Sequence, residues 1–252
     1  MNKFAFRKSW IANTVTSLNV FCGFLSIIFA SQSNFRLAAV MIIAAAAFDM
    51  LDGIVARLLG TSSRFGVELD SLSDVVSFGA APAFLIYKAY AFQLGGWGIL
   101  LSSLLLIFGA LRLARFNIQV EDLETKGDFK GLPIPLSALT ISLFVLAFHK
   151  ENGLVQPFDI IVIPLVIVLS LLMVSKIRYN ALPKLKDKNF LYKVILFITL
   201  IGILILALVN GGEILFYLLI AVVLFGIVRK FYYLLLNKKD ENGNKKSENK
   251  IV

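Results

Sequence analysis

Apolar runs close to the length of a bilayer crossing recur along the chain, separated by short polar or glycine-containing breaks. About 20 helical residues cross the hydrocarbon core. Lipid offers no water to satisfy backbone N–H and C=O groups, so runs of this kind must be helices. They fall at 13–31, 37–59, from near Gly66, 97–116, 136–148, 158–175, 191–209 and 213–235. With 58% hydrophobic residues among 252 and a mean hydropathy of +0.83, the expected fold class is an all-α, polytopic membrane helix bundle. It should hold about eight transmembrane helices.

Residues 1–12 mix Lys3, Arg7 and Lys8 with Phe4, Phe6 and Trp10, the pattern of a short N-terminal interfacial helix. A signal peptide fits less well, because polar Asn13, Thr14, Thr16 and Asn19 interrupt the adjoining apolar run and no clear small-x-small cleavage site is present. Residues 1–236 read as one integral membrane domain, with 13–148 as its candidate catalytic helices. The helices of 158–235 carry no acid in their middles and read as packing helices, the sixth bent at Pro164. Residues 237–252, charged and without apolar periodicity, are expected to form a disordered basic tail.

Against this apolar background, Asp49, Asp52, Asp70 and Asp74 demand a physical reason. An acid at the centre of a membrane helix costs roughly 2.5 to 3.5 kcal/mol on insertion scales. Spacings of three and four put each pair on one helical face. Four converging carboxylates need positive charge, and an all-oxygen set without His or Cys favours hard Mg2+ or Mn2+. Two helices offering paired acids suit a two-metal site that clamps a phosphoryl group. A structural ion site or a cation path is the alternative that intramembrane acids also mark.

Neighbouring residues extend the pattern. Gly53, Ala56 and Gly66 leave room for a ligand near the backbone, and Arg57 stands one turn beyond Gly53, where it can hold a phosphate. Asn13, Thr16 and Asn19 share one face of the first span, available either to a ligand or to interhelical hydrogen bonds. Arg112 and Arg115 end the fourth span, forming an anion site or simply snorkelling into the headgroups.

With the amino terminus inside, only Arg36, Lys88 and Lys150 among 25 Lys and Arg residues fall on the outer side. The positive-inside rule then puts both termini, the acids and Arg112 at the cytoplasmic face of a cell membrane. The net charge of +9 is accounted for by loops and tails, so no nucleic-acid partner is expected. Cys22 alone excludes a disulfide framework or a cysteine metal site, and the single His149 reads as a boundary residue.

Asp49-x-x-Asp52-Gly53-x-x-Ala56-Arg57, eight residues, then Gly66-x-x-x-Asp70-x-x-x-Asp74 resembles the signature of the CDP-alcohol phosphotransferase family without departure. Three further blocks, 73–83, Arg112 to Asn117 and Phe129 to Pro135, look like its bacterial and archaeal serine-accepting branch, the phosphatidylserine synthases. The likeness covers about the first 140 residues; beyond them it is one of hydrophobic pattern.

The resemblance implies an enzyme that transfers the phosphatidyl group of CDP-diacylglycerol to L-serine and releases CMP. It further implies metal binding by Asp49, Asp52, Asp70 and Asp74, with two ions held and Asp74 as general base. Asn13, Thr16, Gly53, Ala56, Arg57 and Gly66 would line the nucleotide site. Arg112, Arg115, Asn117 and Lys130 are the candidates for the serine carboxylate, membrane lipids are the surroundings, and a homodimer is the assembly the family suggests. Two other readings predict different features. A glycerol 3-phosphate or inositol phosphate acceptor calls for a stronger basic cluster facing the acids, and a transporter calls for paths to both faces.

Overall fold

A computed structural model describes residues 3–59, 64–121, 131–151, 153–177, 179, 202 and 211–248, the stretches 3–9, 11–12, 56–59, 119–121, 231 and 233–248 by their backbone alone. The first helix, α1, is continuous over Lys3–Ser31, where the sequence suggests an interfacial segment and then a separate span. Polar residues do not break it because they bond back into it. Thr14 Oγ1 donates to the Trp10 carbonyl at 2.8 Å, and Ser17 Oγ donates to that of Asn13, also at 2.8 Å. A tight turn comes next, with Ser33 at φ 62°. Asn34 Oδ1 accepts the Leu37 N–H at 3.3 Å and starts α2, Phe35–Leu59.

α2 returns along α1, and this is the most extensive helix pair among the described residues. The chain then re-enters as α3, Arg64–Asp74, widens into a π-helical turn over Val75–Ala80, and continues as α4, Ala81–Ala89. Together these form one crossing of 26 residues. The π turn begins immediately after Asp74; such turns are rare and frequently occur at functional sites. A 3-10 turn, Ala91–Leu94, leads to α5, Gly96–Glu121.

α6, Ile134–Phe148, and α7, Phe158–Val174, are joined by a two-stranded hairpin of β1, His149–Lys150, and β2, Gly153–Leu154, with His149 opposite Leu154. His149 rests against the Phe35 ring, centroids 4.5 Å apart, which is the boundary role its position suggests. The last described helix, α8, spans Glu213–Glu248. It runs past 236 into residues expected to be disordered.

Among the described residues, four helical stretches are long and apolar enough to span a membrane: Asn13–Ser31, Phe35–Val55, Arg64–Ala89 and Gly96–Ile118. α6 and α7 are apolar but shorter, with 15 and 17 residues. Of the other expected spans, 191–209 lies outside the described residues and 213–235 falls within α8. Ile42, Ile43, Phe78, Leu85, Ile86, Ile141, Phe144 and Met173 are fully buried where these helices meet. Phe24, Trp97, Ile160 and Phe225 lie exposed on the outside, as lipid-facing residues do.

The end of α7 ties several segments together. Gly131 donates its N–H to Ile177 O at 2.8 Å, and Leu132 donates to Leu172 O at 2.9 Å. Gly131 has φ +93° and its Cα faces the Met173 carbonyl so closely that a side chain has no room. Tyr179 reaches α8, its hydroxyl donating to Val223 O at 3.3 Å. Burial pushes that phenol up to about 12, so it remains a neutral donor.

Candidate active site

The acids stand where α2 and α3 face one another beside α1 and α5. One carboxylate oxygen from each of Asp49, Asp70 and Asp74 lies within 4.8 Å of the other two. Helical periodicity explains how a linear sequence brings this about. Asp70 and Asp74 are one turn apart on α3, and Asp49 comes from the facing helix.

Asp52, the fourth expected ligand, is close enough to interact with Asp49, Asp70 and Asp74 but is not one of the three that meet within 4.8 Å. Its carboxylate accepts the Thr16 hydroxyl from α1 and the backbone N–H of Gly53. Thr16 is therefore brought to the site.

A divalent cation fits this donor set. Asp52 Oδ2, Asp70 Oδ1 and Asp74 Oδ1 are buried without a hydrogen-bond partner among the described residues. Buried carboxylates so close together, with lone pairs unsatisfied, are costly unless positive charge joins them. Every donor is a carboxylate oxygen, which suits Mg2+ or Mn2+.

Arg112 comes from α5 and attracts Asp74 across the cluster. Its Nε is buried and unpartnered. Arg115, its expected companion, is turned to a different task, with Nη1 donating to Val174 O at 3.3 Å. Asn117 is likewise engaged, its Nδ2 donating to Ser71 Oγ at 3.0 Å. The structure thus separates three residues that the sequence groups together.

Among the other expected positions, Asn13 and Gly66 are half-buried, on α1 and near the start of α3. Ala56 and Arg57 lie on α2, but their side chains are outside the described set, as is all of Lys130. Ser71 and Ser77 hold contacts at the site that the sequence pattern does not assign to them. Ser77 could have been found, since it continues the Asp70 and Asp74 face of α3 at the next turn. Its Oγ donates to Asn19 O at 2.9 Å and binds the π turn to α1.

The sequence also has relatives among known proteins. The family model of CDP-alcohol phosphatidyltransferase matches residues 9–174. The chain is similar to CDP-diacylglycerol–serine O-phosphatidyltransferase of Helicobacter pylori (strain ATCC 700392 / 26695), 38% identical over 190 residues, covering 75% of this chain and 80% of that protein. It is also similar to the protein of the same name from Methanocaldococcus jannaschii, 42% identical over 185 residues, with 72% and 78% covered. Archaetidylserine synthase of Methanothermobacter thermautotrophicus is 40% identical over 172 residues, with 67% and 69% covered.

Proposed function

The chain belongs to the CDP-alcohol phosphatidyltransferase family, and from that premise we propose that it transfers the phosphatidyl group of CDP-diacylglycerol to the hydroxyl of L-serine. The products are phosphatidylserine and CMP. The observation that carries the chemistry is the convergence of Asp49, Asp70 and Asp74 to within 4.8 Å inside an apolar bundle. The relatives' names carry the acceptor, for both name serine while they differ in the lipid.

In this reading Asp49, Asp52, Asp70 and Asp74 hold Mg2+ or Mn2+, two ions in all. When bound, these ions stabilise charge on the pyrophosphate and on the departing CMP oxygen. Thr16 and the Gly53 N–H fix the orientation of the Asp52 carboxylate, and Asn13, Ala56, Arg57 and Gly66 complete the nucleotide side. Asp74 takes the proton of the serine hydroxyl as the serine oxygen attacks the phosphatidyl phosphorus. The new P–O bond forms while the bond to CMP breaks, and its electron pair leaves with CMP.

Arg112 receives the serine carboxylate. Its free Nε beside Asp74 supports this, whereas Arg115 and Asn117 already serve neighbouring segments. Such pairing of a guanidinium with a carboxylate is strong and directional.

The distribution of Lys and Arg supports a cell (inner) membrane protein with both termini and the site toward the cytoplasm. That face suits a donor with a nucleotide headgroup in water and acyl chains in lipid. The protein works there as a homodimer among membrane lipids. An acceptor panel tests the reading: CDP-diacylglycerol with L-serine, glycerol 3-phosphate or an inositol phosphate, each competing for the purified protein. Serine should be consumed preferentially; preference for a phosphorylated acceptor would overturn it.

A further inference from the structure

We propose that Asn19 reads the two charged groups of the amino-acid acceptor, forming the floor of the acceptor subsite opposite Arg112. This inference rests on serine transfer as the activity. Asn19 is fully buried, yet neither Oδ1 nor Nδ2 has a hydrogen-bond partner among the described residues. An amide buried in a membrane helix with both ends unsatisfied is unfavourable, and an apolar side chain there would avoid that cost. The amide therefore stands ready for a partner that the protein itself does not supply.

Its position points to the site. Asn19 is three residues after Thr16 on α1, hence on the same face, and Thr16 contacts Asp52. At about 1.5 Å per residue it lies roughly 4.5 Å further along the helix. Its backbone is held on the other side by Ser77, whose Oγ donates to Asn19 O at 2.9 Å. Ser77 is itself one turn beyond Asp74. Asn19 is thus beside Ser77, one turn past Asp74, which interacts with Arg112.

The chemistry of the amide matches an α-amino acid. Oδ1 accepts from an ammonium and Nδ2 donates to a carboxylate, so one neutral side chain contacts both poles. Neutrality matters in this setting. A further acid would repel the carboxylate, and a further base would weaken the attraction of the acids for cations. A phosphorylated alcohol offers no ammonium to Oδ1, so the same residue favours an amino acid over such acceptors.

The test is steady-state kinetics of Asn19→Leu and Asn19→Thr in the purified full chain. CMP release is followed while CDP-diacylglycerol and acceptor are varied separately. We expect the KM for L-serine to rise at least tenfold in Asn19→Leu, with the KM for donor changed less than twofold. Ethanolamine lacks the carboxylate and glycerate lacks the ammonium, so each should discriminate less between wild type and variant than serine does. An unchanged serine KM overturns the proposal, and so does a parallel loss of donor and acceptor affinity. Failure of both variants to fold makes the amide structural and also overturns it. Wild-type protein that releases no CMP with serine would instead refute the activity itself, so the two failures are distinguishable.

Discussion

Arg115 donates from Nη1 to the carbonyl of Val174 at 3.3 Å, joining α5 to the end of α7. Arg112, three residues earlier, has its Nε buried and free beside the acids. The two arginines should therefore fail differently. Arg112→Lys is expected to raise the KM for serine by about tenfold or more, the scale of a lost charge-assisted hydrogen bond. Arg115→Ala should leave that KM within about twofold and cost about 1 kcal/mol of stability. Serine titrations alongside thermal unfolding in detergent separate the two outcomes.

Asp74→Asn keeps the shape of the side chain but removes its ability to accept a proton. Turnover should fall by about 10²-fold to 10⁴-fold, the range general-base catalysis supplies. Binding of CDP-diacylglycerol, measured directly by calorimetry, should persist. Loss of donor binding instead would make Asp74 chiefly a metal ligand.

Chelation offers a separate check on the unsatisfied oxygens of Asp52, Asp70 and Asp74. Treatment with EDTA should abolish CMP release, and adding Mg2+ or Mn2+ should restore it, while Ca2+, larger and less strictly octahedral, should restore less. Full activity after exhaustive chelation would contradict the assignment.

Ser71 and Asn117 hold α3 against α5 one residue from Asp70. A double-mutant cycle with Ser71→Ala and Asn117→Ala should give a coupling of about 0.5 to 1.5 kcal/mol in unfolding free energy. Additive effects would mean that the bond contributes nothing to holding the helices.

Gly23 permits the close approach of α1 to the π turn, since a Cβ there would lie 2.7 Å from Ser77 Cα. Backbone cannot yield as a flexible side chain can. Gly23→Ala is expected to destabilise by about 1 to 3 kcal/mol and to lower turnover by displacing Asp74. A thermal melt combined with an activity assay tests both consequences.

How far the sequence could be read depended on the physics behind each feature. Acid spacing revealed the cluster because α-helical period converts i, i+3 and i+4 directly into shared faces. It could not show that Thr16 holds the Asp52 carboxylate, since Thr16 arrives from α1. Arg112 and Arg115 look equivalent in sequence; Val174, nearly sixty residues away, makes them different. The π turn after Asp74 left no mark because one wider turn barely alters apolar periodicity over 26 residues. Helix ends were hardest to read. α1 runs through Asn13 and Thr14 because Thr14 and Ser17 bond back to the helix carbonyls, which satisfies the polarity that suggests a break.

The most direct measurement is the stoichiometry of product formation by the purified protein given CDP-diacylglycerol, Mg2+ or Mn2+ and L-serine. The account predicts serine-dependent release of CMP matched one for one by phosphatidylserine, and none of either without the acceptor. CMP released without a serine-containing lipid, or no CMP with any alcohol, would contradict it.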